Sequence, residues 1–164
     1  MSELISQLKQ NLAEELALYR ELLVLSKKKK KLLLERFSTD FLQIVGEEEK
    51  RVQRLAELEE SRTALITGLV GKPDANLEQA IEAVESTSDK SDLWMIGTQL
   101  KDVTGEIRTI NEENQKLLEE ALELTQYTLK LITTPPREVT YRPPGKANKP
   151  VSGGTPPSLI DRKA

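Results

Sequence analysis

The 164-residue sequence contains no cysteine and no histidine. Disulfides, thiolate metal sites, thiol nucleophiles and imidazole acid–base chemistry are therefore excluded. No run of carboxylates has the spacing of a calcium loop, and no metal or other cofactor is expected. Nucleophile–base sets and phosphate-binding loops are also missing, so an enzyme is not expected. Aromatic residues make up only 4% of the chain against 31% charged residues, the balance of long helices and coiled coils rather than of sandwiches or α/β enzymes. No apolar stretch approaches the roughly 18 residues that a bilayer span requires. The opening MSELISQLKQ lacks the apolar core of a secretory signal. A cytoplasmic protein without membrane insertion is the expectation.

Proline is almost absent until the end: seven of the eight prolines follow Thr133. From Thr133 to Ala164 the chain carries six basic and two acidic residues, a charge of +4, which leaves −7 on the residues before it in a chain of net charge −3. An acidic body argues against a nucleic-acid partner. The stretch PPREVTYRPPGKANKPVSGGTPPS has the composition of an extended or disordered tail. Within it VTYRPPG, around Tyr141, reads either as a short docking motif or as a chance tyrosine in a solvated tail. The expected organisation is a helical domain over 1–132 and a flexible, basic Pro/Gly-rich tail over 133–164.

What fills the body is helical periodicity. Ile5, Leu8, Leu12, Leu16, Tyr19 and Leu23 recur at steps of three and four, which predicts a helix over about 2–34. Two successive steps of four, Leu8 to Leu16, break a strict heptad and should locally unwind any supercoil. The five lysines from Lys27 to Lys31 read as a solvated last turn favoured by the helix dipole. A nucleic-acid patch would show interleaved aromatics or glycines, which this run lacks. Ser38, Thr39 and Asp40 are N-cap residues ahead of a second apolar period: Phe41, Ile44, Val45, Val52, Leu55, Leu58, Leu65 and Leu69. Gly71 followed by Lys72-Pro73 is expected to end that helix. Charged pairs three and four apart in EEEKRVQRLAELEESR support an exposed face. A short amphipathic helix is expected over 73–85 with Leu77, Ile81 and Val84 on one face. STSDKSD reads as a polar break, with Asp89 or Ser91 capping the last helix.

The strongest pattern comes last. Leu93, Ile96, Leu100, Val103, Ile107, Ile110, Asn114, Leu117, Ala121, Leu124, Thr128 and Leu131 alternate steps of three and four along what would be ~58 Å of helix. That is a coiled-coil seam over more than five heptads. Gly97 and Gly105 lie off the seam and each costs about 1 kcal/mol in a helix interior. Asn114 occupies a seam position, with Asn111 three residues earlier. Two readings stand side by side: a buried asparagine fixing register, or amides facing the backbone of a partner. Leu118, Leu122, Leu129 and Ile132 widen the stripe beyond one seam, which calls for a second packing surface from this chain or another.

The order of these elements resembles the FlgN-type flagellar export chaperones. The resemblance rests on the run Glu49, Leu55, Leu58, Glu59, Arg62 and Leu65. It rests also on the late run Asn111, Asn114, Leu117, Leu118, Leu122 and Tyr127. It covers about Leu4 to Ile132. It implies an all-α protein, an elongated antiparallel helical bundle or coiled coil. It implies as partners the C-terminal helices of hook-associated junction proteins, which the chaperone keeps from assembling early and delivers to the flagellar export gate. On that resemblance Asn111, Asn114, Leu117, Leu118, Leu122 and Tyr127 fall on the client-binding surface, and Tyr141 is the candidate for docking at the gate. An adaptor coiled coil that mainly self-associates is the competing reading, and the oligomeric state stays open between monomer and dimer.

Overall fold

The computed structural model describes residues 1–35 and 39–133, and its elements are four helices: α1 (Ser2–Glu35), α2 (Thr39–Val70), α3 (Leu77–Ala83) and α4 (Thr87–Thr133). The chain divides into two units, Met1–Gln126 and Tyr127–Ala164. Of the second, the described residues are the last turns of α4, Tyr127–Thr133. The core and the interhelical ion pairs belong to the first unit.

Ion pairs between helices give the directions. Lys29 pairs with Glu48 at 2.9 Å, Arg51 with Glu21 at 2.8 Å and Arg54 with Glu14 at 2.7 Å. Partner numbers fall along α2 as they rise along α1, so the two helices are antiparallel. Lys9 bridges Asp89 at 2.5 Å and Asp92 at 2.7 Å, while Lys30 reaches Glu113 at 2.5 Å. Those numbers rise together, so α4 runs parallel to α1 and antiparallel to α2. The all-α bundle expected from periodicity is what forms.

The core sits along α1. Leu8 and Leu12 are fully buried, with Ile5 and Leu16 beside them, against Ile66 and Leu69 of α2 and Leu93, Leu100 and Val103 of α4. The steps of four from Leu8 to Leu16 have a reason here. α1 serves two helices, and its buried face widens to include Asn11, Glu15, Leu22 and Ser26, more than a two-helix seam would need. Ala80 and Val84 close the core from below.

Polar groups are buried between α1 and α2. Asn11 Nδ2 donates to the main-chain oxygen of Leu58 at 3.1 Å, and Arg62 donates to Glu15 Oε2 at 2.6 Å. The Glu15 side chain has no solvent exposure at all. Asn11 Oδ1 and Glu15 Oε1 are buried without a hydrogen-bond partner among the described residues. Burial pushes the Glu15 carboxyl above its ordinary 4.5; Arg62 pulls it back, and Glu59 adds to the rise. Tyr19 Oη donates to Glu59 at 3.4 Å beside this pair. The residues Leu55, Leu58, Glu59, Arg62 and Leu65, read in the sequence as part of a family pattern, are thus largely the side of α2 that holds α1.

Several local expectations change. The lysine run is not a last turn: α1 continues to Glu35, and Lys29 and Lys30 are taken up by the ion pairs to α2 and α4. α2 starts at Thr39, Ser38 lying outside the described residues, and ends at Val70 before Gly71, whose φ of 73° is the left-handed turn that glycine permits. Arg51 and Arg54 support more than their own helix face, since both cross to α1. α3 is shorter than 73–85 because a capping box fixes its start: Asn76 Oδ1 accepts from Gln79 N at 2.9 Å and Asn76 N donates to Gln79 Oε1 at 3.0 Å. STSDKSD is no break. α4 already begins at Thr87, with Ser86 Oγ accepting from Asp89 N at 3.3 Å in place of a cap at Asp89 or Ser91. Gly97 and Gly105 do not interrupt α4.

Truncating Leu12 to alanine should lower unfolding free energy by about 2–5 kcal/mol, measured by urea denaturation; a loss below about 1 kcal/mol would show that α1 is not the centre of the core. A pH series tests Glu15. Its folded-state pKa lies above the unfolded one, so protonation favours the fold. That stabilisation is complete below pH 4.5 and is lost as pH rises through the raised value. Wild type should therefore gain stability relative to Glu15→Gln as pH falls from about 7 to about 4. A gap that stays constant, or moves the other way, would mean that Arg62 outweighs desolvation.

Candidate partner-binding site

The site builds up from one buried serine. Ser26 lies nine residues before the end of α1, and both asparagines of α4 meet it. Its Oγ donates to Asn111 Oδ1 at 3.1 Å, and its main-chain oxygen accepts from Asn114 Nδ2 at 3.0 Å. Asn114 is buried, and its Oδ1 has no hydrogen-bond partner among the described residues. The asparagines therefore tie α4 to α1 within the chain, which is the register reading. One turn further, Lys30 pairs with Glu113.

That register decides where α1 runs out. Five residues remain after Lys30, so α1 ends about level with Leu118 of α4. There, Leu33 of α1 and Phe41 in the first turn of α2 face Asn111, Asn114 and Leu118 across a cleft of about 230 Å³. Asp40 stands in that first turn of α2, where the helix dipole favours an acidic residue.

Burial along α4 changes at the same level. Leu117, Leu118 and Ala121 are half-buried, and Leu122 is 53% exposed. In the second unit Tyr127, Leu129, Leu131 and Ile132 are exposed. The six expected client-binding residues thus divide. Asn111 and Asn114 are engaged by α1, Leu117 and Leu118 are partly covered, and Leu122 and Tyr127 are open. Tyr141 lies outside the described residues. Sequence reasoning missed Leu33 and Phe41 as walls of the cleft. The run Leu32-Leu33-Leu34 after the lysines was an available signal, being apolar where a solvated helix end would be polar.

Among the described residues no cluster of three His, Cys, Asp or Glu side chains could hold a metal ion, and no helix is long and apolar enough to cross a membrane. What the arrangement offers is apolar surface at a fixed register. A family model described as FlgN protein matches residues 1–149. The chain belongs to the FlgN family. This is a family of flagellar export chaperones rather than enzymes. The chain is also 27% identical over 147 residues to a Bacillus subtilis (strain 168) protein described as "Uncharacterized protein YvyG", covering 90% of this chain and 91% of that one. No solved structure matches.

In this FlgN-family chain, Asn114→Leu should raise stability by about 1 kcal/mol, since it removes a buried carbonyl without a partner and a poor helix former. Thermal denaturation of the free protein reads this out. A lower midpoint would mean that the bond to Ser26 outweighs the orphaned oxygen.

Proposed function

We propose that this chain is a cytoplasmic chaperone of flagellar export that binds the C-terminal helices of hook-associated junction proteins, keeps them from assembling early and delivers them to the export gate. The observation that carries this reading is the place where α1 stops. Up to Asn114 the seam of α4 is filled by α1; Leu117, Leu118 and Ala121 are half-buried beside the wall of Leu33 and Phe41, and Leu122 is open. An amphipathic client helix continues where α1 ends, laying its apolar stripe on Leu117, Leu118 and Leu122 in the helix-in-groove mode; Tyr127 is assigned to the client on the family resemblance. Asn111 and Asn114 lie at the mouth of that groove, where they hold α1 and limit how far the client slides. Junction proteins assemble through terminal helices of this kind, so covering them holds assembly back. Tyr141, in the basic stretch after α4, is the residue offered to the gate.

The test is a calorimetric titration with a peptide of a junction protein's C-terminal helical region from the same organism. Binding is expected with a negative heat-capacity change, the mark of apolar burial. Leu122→Glu with Leu129→Glu should weaken it by about a hundredfold or more, given ~1.5–3 kcal/mol for each buried leucine, with helix content unchanged. No heat at any temperature, together with a concentration-dependent dimer, would mean that the open part of α4 serves self-association instead.

A further inference from the structure

At the other end of the first unit, where α3 lies across the start of α4, there is a groove that client binding does not use. Its volume is about 620 Å³, and Leu77 and Ile81 of α3 face Trp94, Gly97 and Thr98 of α4 across it. Leu77 and Ile81 pack against the buried core on their inner sides and are half-buried. Trp94, the only tryptophan of the chain, is 61% exposed on the opposite wall. Gly97 has a reason to be in a helix here: a Cβ on it would stand 3.1 Å from Leu77 Cδ2, so glycine lets α3 lie close and keeps the floor of the groove low. The rim is acidic. Glu78 and Asp102 line it, and Glu82 follows one turn along α3. None of these three carboxylates takes part in an ion pair among the described residues, and Lys101 is the basic residue of the lining.

We propose that this groove docks a basic segment of a partner protein, which buries an apolar side chain against Trp94, Leu77 and Ile81 and sets lysines or arginines on Glu78, Glu82 and Asp102. Three considerations select that occupant. An exposed tryptophan over a concave apolar floor is the form of an interface hot spot. Carboxylates left without partners around it favour positive charge and turn away acidic or neutral segments. A second copy of this chain is disfavoured, because a two-fold contact would set the same acidic rim against itself. The groove and the cleft at Leu118 are about twenty residues apart on α4, or roughly 30 Å, so one partner need not displace the other.

Trp94 reports on the groove directly, since no other tryptophan contributes. The full chain is titrated with a synthetic peptide in which lysines flank a pair of leucines, and emission is followed. A saturable blue shift is expected. Glu78→Lys with Asp102→Lys, both on the surface, should weaken binding of this peptide by about tenfold or more, and this variant should bind the analogue carrying glutamates in place of lysines. Leu122→Glu with Leu129→Glu should leave the response unchanged, which separates this site from the client surface. The proposal is overturned by no saturable shift, by equal response to the basic and acidic peptides, or by an unaltered affinity of the charge-reversed variant. A blue shift that grows with protein concentration in the absence of peptide would assign the groove to a second copy and overturn it equally.

Discussion

The amide of Asn114 on the main-chain oxygen of Ser26 sets how far α4 slides along α1, and much of the functional geometry depends on that offset. Leucine seams tolerate slippage by a heptad, because one leucine layer is much like the next. A buried amide is not interchangeable in this way, since sliding it by one turn leaves it facing apolar side chains with its hydrogen bonds unmade. Asn111 on Ser26 Oγ and the Lys30–Glu113 ion pair repeat the same offset on either side. With the offset fixed, α1 ends beside Leu118, and the open part of α4 begins there rather than elsewhere.

The α1–α2 seam uses the same device with different groups. Asn11 reaches a main-chain oxygen of α2, and Glu15 reaches Arg62. In both seams one acceptor of the buried side chain has no partner among the described residues: Asn11 Oδ1, Glu15 Oε1 and Asn114 Oδ1. Each such orphan costs about 1–3 kcal/mol, a large share of the ~5–15 kcal/mol by which domains of this size are stable. α1 is therefore held in one position by interactions that specify more than they stabilise. Apolar residues at positions 11, 15 and 114 would bind α1 more tightly and position it less well.

Much of this was legible in the sequence. Four helices, the Gly71 stop and the seam position of Asn114 follow from period and capping chemistry alone. The misreadings have a common physical cause. Lys27–Lys31 reads as an end, and STSDKSD as a break, when each is judged by local polarity. In the structure Lys29 and Lys30 are met by carboxylates of α2 and α4, and Ser86 caps α4 while Asp89 and Asp92 reach Lys9. Long-range charge pairing is invisible to a local pattern. For the candidate site, the spacing located the stripe on α4 but not its walls, because Leu33 and Phe41 belong to it only through where α1 ends and α2 begins.

A chaperone and a self-associating adaptor differ in how each uses its seam. An adaptor keeps its seam for another copy. Here the stretch from Leu93 to Asn114 is covered by α1 of the same chain, with hydrogen bonds from Ser26 closing its upper end. The stretch left open lies beyond Asn114, where apolar side chains continue and, among the described residues, no buried amide enforces one pairing. A stripe of that kind suits helices that differ in sequence but share an apolar face, because leucine surfaces accept many partners and polar groups restrict them. The chain thus spends its specificity on its own α1 and leaves α4 permissive where a foreign helix would lie, which is the division of labour a holding chaperone requires.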